Sequence, residues 1–204
     1  MLGLPKNTEL NKQLPKKAIY EKFHMNTAAK NKLDSDIARI SIVNEVSPAR
    51  ISIAPGEKVK SFFVLLVTLK KREFDEKKFI TVSKLIPQNM LMILEYSGQV
   101  KLAVYHKKLM LTEWQSPENL SVELKGLDLD TVWENMIIQI GQIQLSDGNT
   151  LDEQIFLDEQ KEKLQKEITR LEKLARAEKQ PKKKFELVQR IRKLALDRRE
   201  NSVK

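Results

Sequence analysis

There is no cysteine in this chain. That excludes disulfides, cysteine-ligated zinc and thiol catalysis, and it removes any argument for an oxidising compartment. There are only two histidines, His24 and His106, and their separation in sequence leaves a histidine metal site without a second ligand. His106 adjoins Lys107 and Lys108, which suggests contact with a phosphate. A general base needs an orienting partner, and the sequence offers none nearby. Six glycines in 204 residues leave little for phosphate-cradling loops, and no Gly-x-Ser-x-Gly, Walker or Rossmann glycine pattern occurs. No apolar run approaches the ~20 residues needed to cross a bilayer. The opening Met1-Leu2-Gly3-Leu4-Pro5-Lys6 lacks the apolar centre of a signal peptide. The expectation is a cytoplasmic protein without membrane contact, cofactor, metal site or catalytic residue.

What is plentiful is charge. Lys and Arg number 37 against 28 Asp and Glu, a net +9 that suits a polyanionic partner, with nucleic acid ahead of an anionic membrane. The hydrophobic fraction of 41% is enough to build a core, so wholesale disorder is not expected. A chain of 204 residues holds one domain of ordinary size and an appendage.

The centre of that domain is the stretch from Lys60 to Tyr96. Ser61–Leu69 is continuously apolar and rich in β-branched and aromatic residues, the pattern of a strand covered on both faces. Asp75 then caps a helix with Phe79, Val82, Leu85 and Ile86 on one stripe, and Pro87 stops it. Met90–Leu94 reads as the next strand. Ser97-Gly98 turns it back into Gln99–Tyr105, an antiparallel hairpin.

Flanking elements are weaker. Asn7 or Thr8 marks a brief helical turn, Pro15 opens a helix over Lys16–Phe23, and Asn26 caps another from Thr27 to Asp36. Ala38–Ile42 and Ala49–Ile53 are the same five residues, Ala-Arg-Ile-Ser-Ile, and both alternate as half-exposed strands do, so a hairpin is expected. Leu109–Trp114 and Leu120–Leu124 read as further strands. Asp130 is placed as the cap of an amphipathic helix carrying Trp133, Ile137 and Ile140. The globular part is taken to end at residue 148.

From residue 149 onward the composition changes to a basic helical hairpin. Leu157, Leu164, Ile168, Leu171 and Ala175 make a narrow coiled-coil seam that ends at Pro181. A second stripe follows with Phe185, Val188, Ile191, Leu194 and Ala195. Two such helices joined at a proline predict an antiparallel pair. Between residues 173 and 193 nine Lys and Arg face only Glu178 and Glu186. Lys179, Lys182, Lys183 and Lys184 sit at the tip, with Arg190 and Lys193 beyond it. They are the candidate contacts to a nucleic-acid backbone, salt-sensitive and sequence-tolerant. No aromatic residue interleaves them, so base stacking is not expected.

The fold class that results is a mixed α/β globular domain with a C-terminal helical hairpin. The order helix, strand, strand, strand, helix, strand also matches the restriction-endonuclease-like core. That comparison lacks its metal ligands here. Thr68 stands in Val67-Thr68-Leu69-Lys70 where an acid is required, Asp75-Glu76-Lys77-Lys78 falls on the helix, and Glu95 and Lys101 have the wrong spacing.

Four segments together carry a resemblance: Gly3-Leu4-Pro5 with Leu14-Pro15-Lys16-Lys17; Ser83-Lys84-Leu85-Ile86-Pro87-Gln88-Asn89; Val132-Trp133-Glu134-Asn135; and Ala177-Glu178-Lys179-Gln180-Pro181. The chain resembles a bacterial family known as a domain of unknown function, whose genes stand beside helicase and DNA-methyltransferase genes in restriction and phage-defence clusters. The resemblance implies a context and no catalytic residue. The leading expectation is a non-enzymatic accessory protein that touches nucleic acid and a helicase or methyltransferase partner. The alternatives are a metal-dependent nuclease with a divergent site and a module that self-associates through the C-terminal helices.

Overall fold

The computed structural model describes residues 2–200, so residues 201–204 of the helical part lie outside it. It divides into two units, Met1–Ile143 and Gln144–Lys204, a few residues ahead of the boundary expected at 148.

The first unit is a six-stranded sheet in sequential order: β1 (Glu9–Gln13), β2 (Ile37–Val46), β3 (Phe62–Leu69), β4 (Asn89–Tyr96), β5 (Gln99–His106) and β6 (Lys108–Leu111). Only β3 and β4 run parallel, joined by α3 (Glu76–Ser83), which Asp75 caps through the N–H of Lys77. This is the strand–helix–strand unit that the apolar runs predict. Helices α1 (Lys16–Lys22), α2 (Thr27–Asp36) and α3 bring Ile19, Leu33, Phe79 and Val82 onto Leu65, Val67, Met92 and Leu94. Side chains alternate across a strand, so Phe62 points to the opposite face. There the Trp133 ring of α4 (Leu129–Gly141) lies 5.2 Å from it. Helices on both faces explain why β3 and β4 are continuous apolar runs.

The hairpin of β4 and β5 forms as expected, with Tyr96 opposite Gln99. Ser97 and Gly98 both have positive φ, 47° and 76°, as a two-residue turn with the right twist requires. Asn26 caps α2 by accepting the N–H of Ala29.

Three expectations change. Ala49–Ile53 is not a strand: the N–H groups of Arg50 and Ile51 both donate to the Ser47 carbonyl, at 2.9 and 3.1 Å, and the segment is a turn. Its twin, Ala38–Ile42, lies in β2. One edge of β2 is taken by β3 and the other by β1, so no edge remains for the repeat. The observed order from α2 is therefore helix, strand, strand, helix, strand, and the element order behind the nuclease comparison is missing one strand. The edge strand β1 had no sequence expectation. Leu120–Leu124 is no strand either; it makes a single bridge, Leu2 with Ser121.

The third change concerns Asp130. The cap of α4 is Asp128, whose carboxylate accepts the Thr131 N–H at 2.8 Å. Asp130 instead reaches across to the loop before β3 and accepts the N–H groups of Val59 (2.7 Å), Glu57 (2.8 Å) and Lys58. These donors, that of Val59 foremost, hold its carboxyl below the usual carboxylate range. The approach is close enough that a Cβ on Gly56 would lie 2.2 Å from an Asp130 oxygen, so only glycine fits there. A depressed folded-state pKa stabilises above the unfolded value near 4, and that support is lost as pH falls further. In hydrogen exchange at neutral pH, Asp130→Ala is expected to remove protection at Glu57, Lys58 and Val59 while leaving the β3–β4 amides protected.

Asp36, at the end of α2, is 1% exposed. It accepts from the Lys71 ammonium (2.7 Å), the Lys78 ammonium, the Ser35 hydroxyl (3.0 Å) and the Asp75 N–H (3.3 Å). One carboxylate thus ties α2 to the β3–α3 loop and to α3. Burial pushes its pKa up, but these donors outweigh that and hold it well below the usual range.

Candidate nucleic-acid interface

The second unit begins with a helix start written in sequence. Thr150 accepts the N–H of Glu153, and Glu153 accepts that of Thr150, a capping box opening α5 (Leu151–Ala177). Glu178 leaves helical geometry, its carboxylate accepts the N–H of Gln180 at 2.8 Å, and α6 (Pro181–Glu200) follows. Pro181 suits a helix start because its missing N–H is not needed there.

The two helices run antiparallel, as Arg190 beside Glu167 (3.7 Å) and Arg198 hydrogen-bonded to Gln165 show. In the seam, Ile168, Leu171 and Ala175 are buried, while Leu157 and Leu164 are half-buried. From α6, Val188 and Ile191 are half-buried. Phe185 does not join them: it is 62% exposed. The sequence stripe that included it is too wide. Positions 188, 191 and 195 share the face toward α5, and 185 lies at the margin of that face near the start of α6.

All six candidate cations, Lys179, Lys182, Lys183, Lys184, Arg190 and Lys193, are exposed. Arg190 is engaged with Glu167; among the described residues none of Lys179, Lys182, Lys183 or Lys184 forms an ion pair. Their position is electrostatically uphill. Lys182, Lys183 and Lys184 occupy the first turn of α6, which contains no acid. The partial positive charge of a helix N-terminus disfavours cations there by about 0.3–1 kcal/mol each. An anion brought to this turn would meet three ammonium groups and unsatisfied backbone N–H groups together. Along α6, Arg190 lies on the same side as Lys183 and Lys193 on the same side as Lys182, about 10 and 16 Å further along the axis at 1.5 Å per residue.

The family of the chain is shown by comparison. A model for a domain of unknown function, DUF4391, matches residues 2–196. The chain belongs to the DUF4391 family. The match runs through the tip, so the helical hairpin is part of the family's domain. No curated protein and no solved structure matches the chain.

The nuclease candidates are scattered. Asp75 caps α3 and Glu76 begins it, while Lys78 is drawn to Asp36. Glu95 accepts a hydrogen bond from the Thr68 hydroxyl at 3.0 Å. Lys101 pairs with Leu94, so it projects from the face opposite to Glu95. Among the described residues no three His, Asp or Glu are grouped to hold a metal ion. No described helix is long and apolar enough to cross a membrane.

Two groupings went unread in the sequence. Asp36 with Lys71 and Lys78 is one. The other gathers Lys101, 5.2 Å from the Trp114 ring centre and 5.9 Å from that of Phe74, with Arg72 5.9 Å from Trp114. Both are made by contacts between residues at least thirteen positions apart, for which local periodicity gives no signal.

Proposed function

We propose that this DUF4391 protein is a non-enzymatic accessory factor that works by contact, and that the tip of its helical hairpin grips the phosphate backbone of a nucleic acid. The observation that carries this is the set of uncompensated lysines in the first turn of α6. A charge arrangement that costs the folded protein energy when free is relieved when a polyanion neutralises it. The absence of aromatic residues among Lys179–Lys184 supports backbone contact in place of base reading. The resemblance to proteins encoded beside helicases and methyltransferases supports a DNA-handling enzyme as the protein partner. On this reading the α/β body docks and the hairpin touches the nucleic acid.

The test is fluorescence anisotropy of the full chain with labelled duplex DNA over a range of salt concentrations. Wild-type binding is expected to weaken steeply with salt and to vary little with sequence. Lys182→Ala/Lys183→Ala/Lys184→Ala should weaken it about 10- to 100-fold at low salt. The slope of log K against log salt should fall by about 2.7 for three lost phosphate contacts. An unchanged slope in the triple variant would sink the assignment to the tip. Cleavage of the DNA with Mg²⁺ or Mn²⁺, abolished by replacing an acidic residue, would overturn the non-enzymatic reading.

A further inference from the structure

The hairpin is charged oppositely at its two ends. Residues 147–162 carry six acids (Asp147, Asp152, Glu153, Asp158, Glu159, Glu162) and one base, Lys161. Residues 173–193, at the tip, carry nine bases and two acids. Each end also displays an apolar side chain outside the α5–α6 seam. Phe156 is 59% exposed and Leu174 is 48% exposed. They lie eighteen residues apart on one helix, which is five turns at 3.6 residues per turn, so they share one azimuth about 27 Å apart. Beside Leu174 is a cleft of ≈ 560 Å³ between the two helices, floored by Leu174, Ala177 and Leu187 and lined also by Lys183 and Arg190. Its two acids, Glu178 and Glu186, are the only ones at this end, and Glu178 is engaged with the Gln180 N–H.

We infer that a second copy of this chain docks antiparallel along this flank, placing Phe156 of each copy in the Leu174–Leu187 cleft of the other. The complementarity is internal to the sequence. Phe156 has Asp152, Glu153 and Glu159 one turn away on either side. The cleft lining itself is balanced, Lys183 and Arg190 against Glu178 and Glu186, and the positive surplus comes from Lys173, Arg176, Lys179, Lys182 and Lys184 around it. A side-by-side pair with a twofold axis opposes the acidic end of each hairpin to the basic end of its mate, whereas a parallel pair would oppose like charges. An isologous interface also uses each apolar anchor twice. A buried phenylalanine covers about 150–250 Å², so the two anchors supply under half of the roughly 1,200 Å² of a small specific interface, and the charged strip between them must supply the rest. The association is therefore reversible, concentration-dependent and salt-sensitive. The seam itself takes no part, because α6 already fills it. The docking draws on Lys183, which the proposed nucleic-acid contact also uses, so its test contains no nucleic acid and reads association alone.

The lack of cysteine makes that test clean. Phe156→Cys and Leu174→Cys variants of the full chain, one carrying a size tag, are mixed at low salt and oxidised. Both sites are exposed, so folding should be unaffected, which circular dichroism checks. Disulfides form only when the Cα atoms approach within about 7 Å. The expected product is the mixed Phe156→Cys/Leu174→Cys dimer, with either variant alone failing to cross-link. In sedimentation equilibrium, Phe156→Ala should weaken the wild-type dimer at least about tenfold, and raising salt from 50 to 500 mM should weaken it as well. A chain that stays monomeric up to about 100 μM at low salt would overturn the inference. So would homotypic Phe156→Cys cross-links, or a dimer indifferent to Phe156→Ala.

Discussion

Replacing Asp36 by alanine is expected to cost about 3–5 kcal/mol, the loss associated with removing one partner from a buried ion pair. The variant leaves the Lys78 ammonium, whose side chain is only 13% exposed, without its carboxylate, and it orphans the Asp75 N–H. Domains of this kind are stable by only about 5–15 kcal/mol, so a loss of this size removes a large part of the total. Urea denaturation at pH 7 measures it as a lower midpoint with an unchanged slope. The pH dependence supplies a second readout. Because the folded-state pKa of Asp36 is depressed, its contribution is complete above the unfolded value near 4 and is lost as pH falls toward the folded value. Wild-type stability should drop below about pH 4, and Asp36→Asn, which keeps the shape and removes the charge, should flatten that acid limb. An Asp36→Asn protein as acid-sensitive as the wild type would show that other carboxylates govern the limb.

Trp133→Ala carries the other large effect, again about 3–5 kcal/mol, for a different reason. Trp133 is 4% exposed, and its ring packs on Phe62, so truncation opens a cavity between α4 and the sheet. No polar group is orphaned, and the loss should therefore be nearly the same at pH 4 and pH 7, unlike that at Asp36. Trp114→Ala is the internal comparison: its ring is half-exposed and flanked by Arg72 and Lys101, and its loss should be markedly smaller. Equal losses at the two tryptophans would contradict the layer arrangement described above.

The segments behind the family resemblance turn out to be joints of the fold. Pro15 precedes α1, residues 83–89 carry the chain from α3 into β4, and residues 177–181 connect α5 to α6. Within Val132-Trp133-Glu134-Asn135, Val132 and Trp133 are core, and the Asn135 amide donates to the Lys125 carbonyl at 2.8 Å. Such positions are constrained by shape. That is why the resemblance conveys a family without conveying a chemistry.

The legibility of the elements follows from the range of the forces that make them. The β3–α3–β4 unit, the Ser97-Gly98 turn, the cap at Asn26 and the proline-broken helical pair could be read directly, because burial on both faces, positive φ, capping and the loss of an N–H act within a few residues. The cationic tip was equally visible, since a charge run needs no partner to be seen. Ala38–Ile42 and Ala49–Ile53 mark the limit. Identical residues became a strand in one place and a turn in the other, because β1 and β3 had already taken both edges of β2. The same limit hid Asp130, which is spaced as a cap yet spends its carboxylate on a loop more than seventy residues away. It hid the lysines of Asp36 and the exposure of Phe185 as well. By itself, the order of residues determined which segments become helix or strand and where positive charge accumulates. Only the tertiary structure decided which edges were free, which carboxylates were buried and which apolar side chains were left facing water, because those depend on what the rest of the chain has already covered.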